Sequence, residues 1–433
     1  MIYLLLWIVT HTVMLMARST RGISRCRRSE EKAMGQKSKI MDSEIRELVD
    51  KAAELVPRLA EIGNRSDRLS EDPTEAMKLL NEAGFWRLQV PAAYGGYSDG
   101  SVAFGLEALY EIYLSIGRGD AAVLLNTVVG SVVLAELFSS DLPEATKRQV
   151  GEDIAAGRRF RFVASASETG VTTGPTSVRK VDGGVLVNGT KSFNSNSGSA
   201  AETYASVSAQ LEGSTSLVTA LIPLDAPAVR LHGDWDVMGM RGTQSQRITY
   251  DDVFVPDGWY TVQATRDPLL FPMAQAGQAI IVLGPAYGAL DAAIDYVRAS
   301  TTPTVKIYDS VQTDPFVRRR IGEFRIKLDA ARALLMELVR AVENADDKTE
   351  IAQLMIDALS AKAAATSIAV EVASGIVDLT GTRSTAAKYN IDRFWRNIRT
   401  FSQHDPKIDA AQYFVGGYHL AGEVPGMEVY VRV

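Results

Sequence analysis

The sequence predicts an α+β multidomain fold in which helices flank a central block of strands. Three observations predict it. Apolar residues recur at helical spacing from Ile45 to Ile62. Short β-rich runs separated by turn residues fill the stretch from Phe160 to Val255. Long helical stretches with apolar stripes return after Met273. At 433 residues the chain has length for about three domains, and the changes of pattern place them at 41–158, 159–267 and 268–433.

In the first domain, Ile45, Leu48, Val49, Ala52, Leu55, Val56, Leu59 and Ile62 form one helical stripe. Asp72-Pro73 reads as the N-cap and first turn of a second helix that runs through Leu80 and ends at Gly84. A loop at Pro91–Gly96 precedes helices at about Val102–Ser115 and Ala121–Phe138. The middle domain has strand runs at Phe160–Ala164, Val185–Asn188, Tyr204–Ala209, Leu217–Ile222 and Arg247–Val255. Asp182-Gly183-Gly184 and Asn188-Gly189 read as turns between them. The last domain has helices at Gln275–Ala299, Pro315–Asn344 and Ile351–Leu379. Ile321, Phe324, Leu328, Ala331, Leu335 and Leu338 fall on one face of the second, the pattern of a helical bundle.

Residues 1–40 stand apart. Met1–Ala17 is apolar except for Thr10, His11 and Thr12, and five arginines follow between Arg18 and Arg28. The run sits at the lower edge of bilayer-spanning length and lacks the basic start and small-residue cleavage site of a secretory signal. It is expected to be a non-structural leader. A membrane anchor in residues 1–17 and a targeting segment are the other readings. Met34 and Met41 are alternative starts.

Composition excludes several classes of function. Four histidines and the single Cys26 cannot supply a Cys/His zinc cluster, a disulfide framework or a redox CxxC pair. The net charge is −6, and the body after residue 40 is acidic, which argues against nucleic acid as partner. A cytoplasmic location is expected, with membrane attachment only through a real anchor in residues 1–17.

Generic motifs are uninformative. Gly117–Ala122 has the letters GxGxxA but follows a helix, so it reads as a helix–helix turn and not a dinucleotide loop. Arg318-Arg319-Arg320 reads as a solvated helix face, and His232 as structural.

A spread of four segments is more specific. Asn81–Phe85 with Pro91–Gly96, Val187–Ser195, Met238–Thr243, and Asp252–Pro256 occur in order at characteristic spacing. Together they resemble the acyl-CoA dehydrogenase superfamily from about Ile45 to Pro425. The resemblance implies a helical N-terminal domain, a central β-barrel-like domain and a C-terminal four-helix bundle. It also implies flavin between the last two, in a homotetramer.

The departures from that family redirect the function. Where its dehydrogenases carry a glutamate base in a Glu-Gly-Thr motif, this chain has Asp405 between His404 and Pro406. Asp378–Thr382, with Gly381, stands where those enzymes reach the dinucleotide of a neighbouring subunit. No arginine lies between Thr301 and Phe316 to clamp it. Gly233–Asp236, Asp314–Val317 and Phe394–Thr400 running into His404-Asp405-Pro406 resemble instead the two-component flavin-dependent monooxygenases similar to dibenzothiophene monooxygenase.

That branch implies reduced flavin, FMN favoured over FAD, delivered by a separate reductase. Dioxygen is co-substrate, and oxygen is transferred to a small organic substrate through a flavin hydroperoxide. His404 is expected to hold the oxygen adduct or supply a proton, with Asp405 orienting it or binding substrate. Ser195 is expected at the flavin's central ring nitrogen and Phe193 on the ring face. Ser165 and Ser167 are expected at ring or phosphate, with Arg396 at phosphate or acidic residues of the bundle and Gly381 as a further cofactor contact. No metal is implied. An FAD-dependent acyl-CoA dehydrogenase with Asp405 as base, and a non-catalytic flavin-binding protein, are the alternatives.

Overall fold

Apolar periodicity and capping set the helices. The computed structural model describes residues 27–166, 175–264, 267–299 and 307–424. Helix α1 spans Arg27–Leu69, and residues 1–26, most of the leader expected over 1–40, lie outside the described residues. The chain divides into two units, one ending at Glu44 and one running from Ile45 to Val433. Within the second unit α1 buries Leu48, Ala52, Leu59 and Ile62. Helices α2 (Thr74–Glu82), α3 (Leu106–Gly119), α4 (Ala121–Ser139) and α5 (Glu144–Ala155) complete the N-terminal part of that unit. Asp120 caps α4 by accepting from the backbone N–H groups of Ala122 and Val123, each at 2.9 Å, which makes Gly117–Ala122 a helix–helix turn. Helix α4 is apolar on all sides because it is buried on nearly all sides.

Eight strands follow. They are β1 (Arg161–Ser165), β2 (Ser177–Val181), β3 (Gly184–Lys191), β4 (Thr203–Leu211), β5 (Leu217–Pro223), β6 (Val229–Leu231), β7 (Ile248–Pro256) and β8 (Tyr260–Val262). The order is β6-β7-β3-β2-β4-β5-β8, with β1 parallel to β4. Val163, Val178, Val187, Val207, Val218 and Tyr250 project into one core. Asp182-Gly183 makes the β2–β3 hairpin, Gly183 taking φ 73°. Asn188-Gly189 is not a turn. It is a bulge inside β3, where Gly189 has φ 139° and a Cβ would lie 2.6 Å from the Thr176 Cα.

The C-terminal part comprises α6 (Leu270–Ala299), α7 (Pro315–Glu343), α8 (Ile351–Thr380), a short α9 (Asp392–Phe401) and α10 (Ile408–Ala421). Helix α8 packs along α6, α7 and α10. The amphipathic α9 buries Arg393, Phe394, Asn397, Ile398 and Phe401. This is the α+β multidomain architecture of an acyl-CoA dehydrogenase-like chain.

One capping expectation is corrected. Asp72 does not cap α2. Its carboxylate instead receives both arms of the wholly buried Arg161 guanidinium at 2.7 Å each. Arg161 Nε also donates to Asn196 Oδ1 at 2.9 Å. Opposite charge outweighs two backbone N–H groups as a partner for the carboxylate. The fork ties the α1–α2 connection to β1 and to the loop after β3. Asp72→Ala is expected to cost about 3 kcal/mol or more, because it strands a buried guanidinium. The double variant Asp72→Leu/Arg161→Met should recover most of the loss, and urea unfolding of both variants measures the difference.

Candidate functional site

The loop after β3 places two of the expected residues. Phe193 and Asn196 take left-handed backbone, φ 57° and 75°. An aromatic residue rarely adopts that conformation, and here it leaves the Phe193 ring 66% exposed, edge-on to Trp235 at 6.2 Å. Asn196 is held by Arg161 and donates to the Phe162 carbonyl at 3.1 Å, so the geometry of the loop is enforced from beneath.

Ser195 starts a chain of hydroxyls. Its Oγ lies 2.8 Å from Ser245 Oγ, which lies 2.6 Å from Thr243 Oγ1, which donates to the Met240 carbonyl at 2.8 Å. Trp235 Nε1 donates to the same carbonyl at 2.9 Å. Met240 N–H in turn donates to Asn397 Oδ1 on α9 at 2.7 Å. Gly239 permits this docking: a Cβ there would lie 2.2 Å from the Arg396 carbonyl oxygen. The β-rich part and α9 therefore meet at Met238–Met240.

Helix α9 leads to the histidine. His404 N–H donates to the Phe401 carbonyl, and the ring stacks on Phe401 with centroids 5.1 Å apart. Nδ1 lies 2.9 Å from the Asp405 carbonyl oxygen. A carbonyl only accepts, so Nδ1 carries the proton and Nε2 of the neutral ring keeps a lone pair. The residue retains solvent-exposed surface, but atoms crowd the ring. That burial, and then the charge of Lys362, lower the His404 pKa against the opposing pull of Asp405. With Nδ1–H turned to the Asp405 carbonyl, the neutral imidazole offers Nε2 as an acceptor. Asp405 precedes a cis peptide to Pro406.

One expected contact is corrected, and another resolves toward one of its two alternatives. Ser165 is fully buried in the sheet, donating to Asn194 Oδ1 at 2.6 Å and accepting from the Tyr250 hydroxyl at 2.9 Å, so its hydroxyl is consumed inside the barrel wall. Arg396 is also spent, on acidic residues and not on a phosphate. It grips Asp67 of α1 with both arms, at 2.9 and 2.7 Å, and Asp392 through Nε at 2.7 Å. Burial opposes ionisation of Asp67, but Arg396, aided by Asn390 and Arg241, outweighs it and holds the carboxyl below its usual range. Gly381 caps α8 in open surroundings, and no described contact joins it to the His404 turn. Ser167 lies outside the described residues.

Sequence reasoning missed two residues. Asn126 on α4 is wholly buried, and neither atom of its amide has a partner among the described residues. Helix α4 packs along β1 and the Arg241–Thr243 turn and touches α9, so this orphaned amide sits at the same junction. Lys362 on α8 is 5% exposed, with Nζ 3.1 Å from the His404 carbonyl. Both had a sequence signal: Lys362 is the single basic residue in Ile351–Thr380, and Asn126 the single amide in Ala121–Ser139.

An uncovered aromatic ring, a hydroxyl left free to accept, an amide without a partner among the described residues and a neutral imidazole suit a flat heteroaromatic cofactor with apolar faces and polar edges, and flavin is such a group.

Similarity to known proteins identifies the family. Residues 276–406 match the family model for the acyl-CoA dehydrogenase C-terminal domain. Dibenzothiophene monooxygenase of Rhodococcus qingshengii is 30% identical over 385 residues, covering 83% of this chain and 89% of that protein. A probable FMNH2-dependent monooxygenase, SfnC of Pseudomonas putida, is 27% identical, covering 88% and 96%. The crystal structure of TdsC from Paenibacillus sp. A11-2 with FMN and indole superposes with TM-score 0.78 at 25% identity, covering 89% of this chain and all of that one. The chain belongs to the acyl-CoA dehydrogenase superfamily, in its two-component flavin-dependent monooxygenase branch. It is a flavin-dependent oxidoreductase of the monooxygenase class; the dehydrogenase and non-catalytic readings are not favoured.

Asp67→Asn is expected to destabilise the fold by about 3 kcal/mol, since the half-buried Arg396 loses its forked partner. It should also loosen the seat of α9. Thermal unfolding, together with hydrogen exchange at residues 392–404, checks both effects.

Proposed function

We propose that this enzyme takes reduced FMN from a separate reductase and, as a cytoplasmic homotetramer, uses dioxygen to oxygenate a small, largely apolar ring substrate. The observation that carries the proposal is the His404 ring, oriented by Nδ1 on the Asp405 carbonyl at 2.9 Å, in the sequence segment where the resembling dehydrogenases carry their glutamate base. FMN is favoured because the chain lacks the arginine and the Gln-x-x-Gly-Gly segment that serve the adenosine half of FAD, and because a relative binds FMN.

Reduced flavin, when bound, supplies the two electrons that dioxygen needs to yield oxygenated product and water. The protein's own groups do the rest. Phe193 and Trp235 give an apolar wall for a flat ring. Ser195 Oγ is left to accept, because Thr243 spends its proton on the Met240 carbonyl, Ser245 its own on Thr243 and Ser195 its own on Ser245. The Asn126 amide offers one donor and one acceptor in a dry setting, where an unmet polar group gains most from a ligand. His404 Nε2 accepts a proton or hydrogen bond, while Nδ1–H keeps the ring oriented through the Asp405 carbonyl.

A substrate seat lies between α3, α4 and α6. Phe104, Tyr110, Tyr113, Val128, Phe138 and Met273 line a narrow hollow of about 20 Å³, which side chains must widen to admit a ring. Tyr110 already donates to the Met273 carbonyl at 2.8 Å, and burial pushes the hydroxyl pKa values of Tyr110 and Tyr113 up, so neither carries charge. The unpartnered amide of Gln89 is the polar anchor in this wall. The lining suits a planar apolar substrate with one hydrogen-bonding heteroatom; indole, bound by a relative, has that character.

Anaerobic titration should show reduced FMN binding more tightly than reduced FAD, and an oxygen pulse with indole should then yield an oxygenated product. Dye reduction driven by acyl-CoA would instead identify a dehydrogenase. His404→Ala should leave affinity for reduced FMN nearly unchanged and raise the hydrogen peroxide formed per flavin oxidised. In wild type the peroxide yield should rise only below the ordinary histidine midpoint, because the lowered pKa keeps Nε2 unprotonated above it. Unchanged peroxide yield in the variant would remove His404 from the reaction.

A further inference from the structure

Lys362 is a buried base with no part in the oxygenation chemistry assigned to Phe193, Ser195, Asn126 and His404. It sits in the middle of α8 and lines a small cleft. On the neighbouring α6, α9 and α10, and on α8 itself, that cleft presents Gln278, Thr366, Phe401, Ser402, Ile408 and Ala411, none of which titrates. The groups facing Lys362 that can carry charge are Asp405 and His404, both on the turn that follows α9. Its Nζ donates to the His404 carbonyl at 3.1 Å.

We propose that Lys362 is a positioning residue for the oxygenation: its buried amine anchors the carbonyl of His404, with Asp405 as counter-charge, and thereby fixes where the imidazole is presented. The proposal rests on the reading of His404 as the acceptor that faces the reaction. A lysine chosen only for stability would not be placed here. An ammonium removed from water costs free energy that one carbonyl and one nearby carboxylate do not return in full. An apolar side chain of similar volume would fill the cleft with less loss.

The direction of titration agrees. Burial lowers the Lys362 pKa to about 7, Asp405 opposing. Near neutrality the amine is partly charged, and in its charged form it disfavours a second proton on His404. The folded-state pKa lies below that of an unfolded lysine, so the unfolded chain binds more protons between the two values. Stability contributed at this site therefore rises as pH climbs through about 7.

The test uses the full chain as wild type, Lys362→Met, Lys362→Arg, His404→Ala and the Lys362→Met/His404→Ala double variant. Without flavin, Lys362→Met should unfold at a higher temperature than wild type near pH 6, and the gap should shrink as pH rises toward 9. With reduced FMN, dioxygen and indole, Lys362→Met should release peroxide faster by on the order of tenfold, the effect of one charge-assisted hydrogen bond. Lys362→Arg should recover part of the loss. Lys362→Met should add nothing in the His404→Ala background, because both act through one imidazole.

Lower thermal stability of Lys362→Met at every pH, or peroxide release additive with that of His404→Ala, would make Lys362 a packing residue and overturn the proposal. Unchanged peroxide release in Lys362→Met would do the same. If His404→Ala itself matches wild type, the reading of His404 falls and this proposal falls with it.

Discussion

The fork between Arg396 and Asp67 is the constraint on which the site depends. Helix α9 is ten residues long, too short to hold itself in water. Its apolar residues bury one face, and its most specific tether is the two-armed bond from Arg396 to α1, at 2.9 and 2.7 Å. That bond fixes rotation as well as position, because a planar guanidinium accepts a carboxylate in one plane. Asn397, one residue on, then takes the Met240 N–H, and the backbones touch at Gly239. The turn bearing His404 begins where this anchored helix ends. Of the two partners the sequence leaves open for Arg396, phosphate or acidic residues, it is the acidic ones that engage it, and through them it holds the site's surroundings in place.

Buried charge in this chain comes in three grades of compensation. Arg161 and Asp72 are matched arm for arm, with Asn196 taking the remaining Nε–H. Arg393 is less well served. It reaches the Gly119 carbonyl at 3.3 Å, and burial lowers its pKa despite the charges of Asp120 and Asp67. Asp120 is shifted in the complementary sense, its carboxyl raised by burial that Arg393 only partly offsets. Lys362 is the least compensated of the three. Stability selects against such a group, so its presence beside His404 marks a place where another requirement outweighs stability.

The fold was largely readable because long helices and alternating strands announce themselves through apolar spacing. The stripes at Ile45–Ile62 and Ile321–Leu338 and the valine-rich runs of the barrel are examples. The failures are local and share a cause. Asn188-Gly189 carries the letters of a turn, but β7 supplies a partner through Lys191, so tertiary pairing absorbs the glycine as a bulge. Asp72-Pro73 carries the letters of a cap, but Arg161 lies 89 positions away in sequence and claims the carboxylate. The site divides in the same way. Phe193, Ser195 and His404 are candidates because a resemblance names short contiguous segments. Asn126 and Lys362 are single residues in apolar helices; the first matters for the partner it lacks among the described residues, the second for a carbonyl 42 positions away. A sequence cannot show an absent partner.

The loop after β3 shows how these levels combine. Phe193 sits in a left-handed conformation that costs on the order of 1 kcal/mol or more. A free loop would relax it and fold the ring against the sheet. It cannot relax here, because Asn194 is bonded to the Lys191 and Gln246 carbonyls and to Ser165, and Asn196 is locked by Arg161. The same Ser165 hydroxyl that proves unavailable to a cofactor is therefore part of what holds the loop. The expected cofactor contacts thus separate into residues that present a surface, Phe193 and Ser195, and residues that make presentation rigid, Ser165 and Arg396. A flat ring of modest size needs both kinds, since binding to a preformed aromatic face avoids the entropy of ordering it.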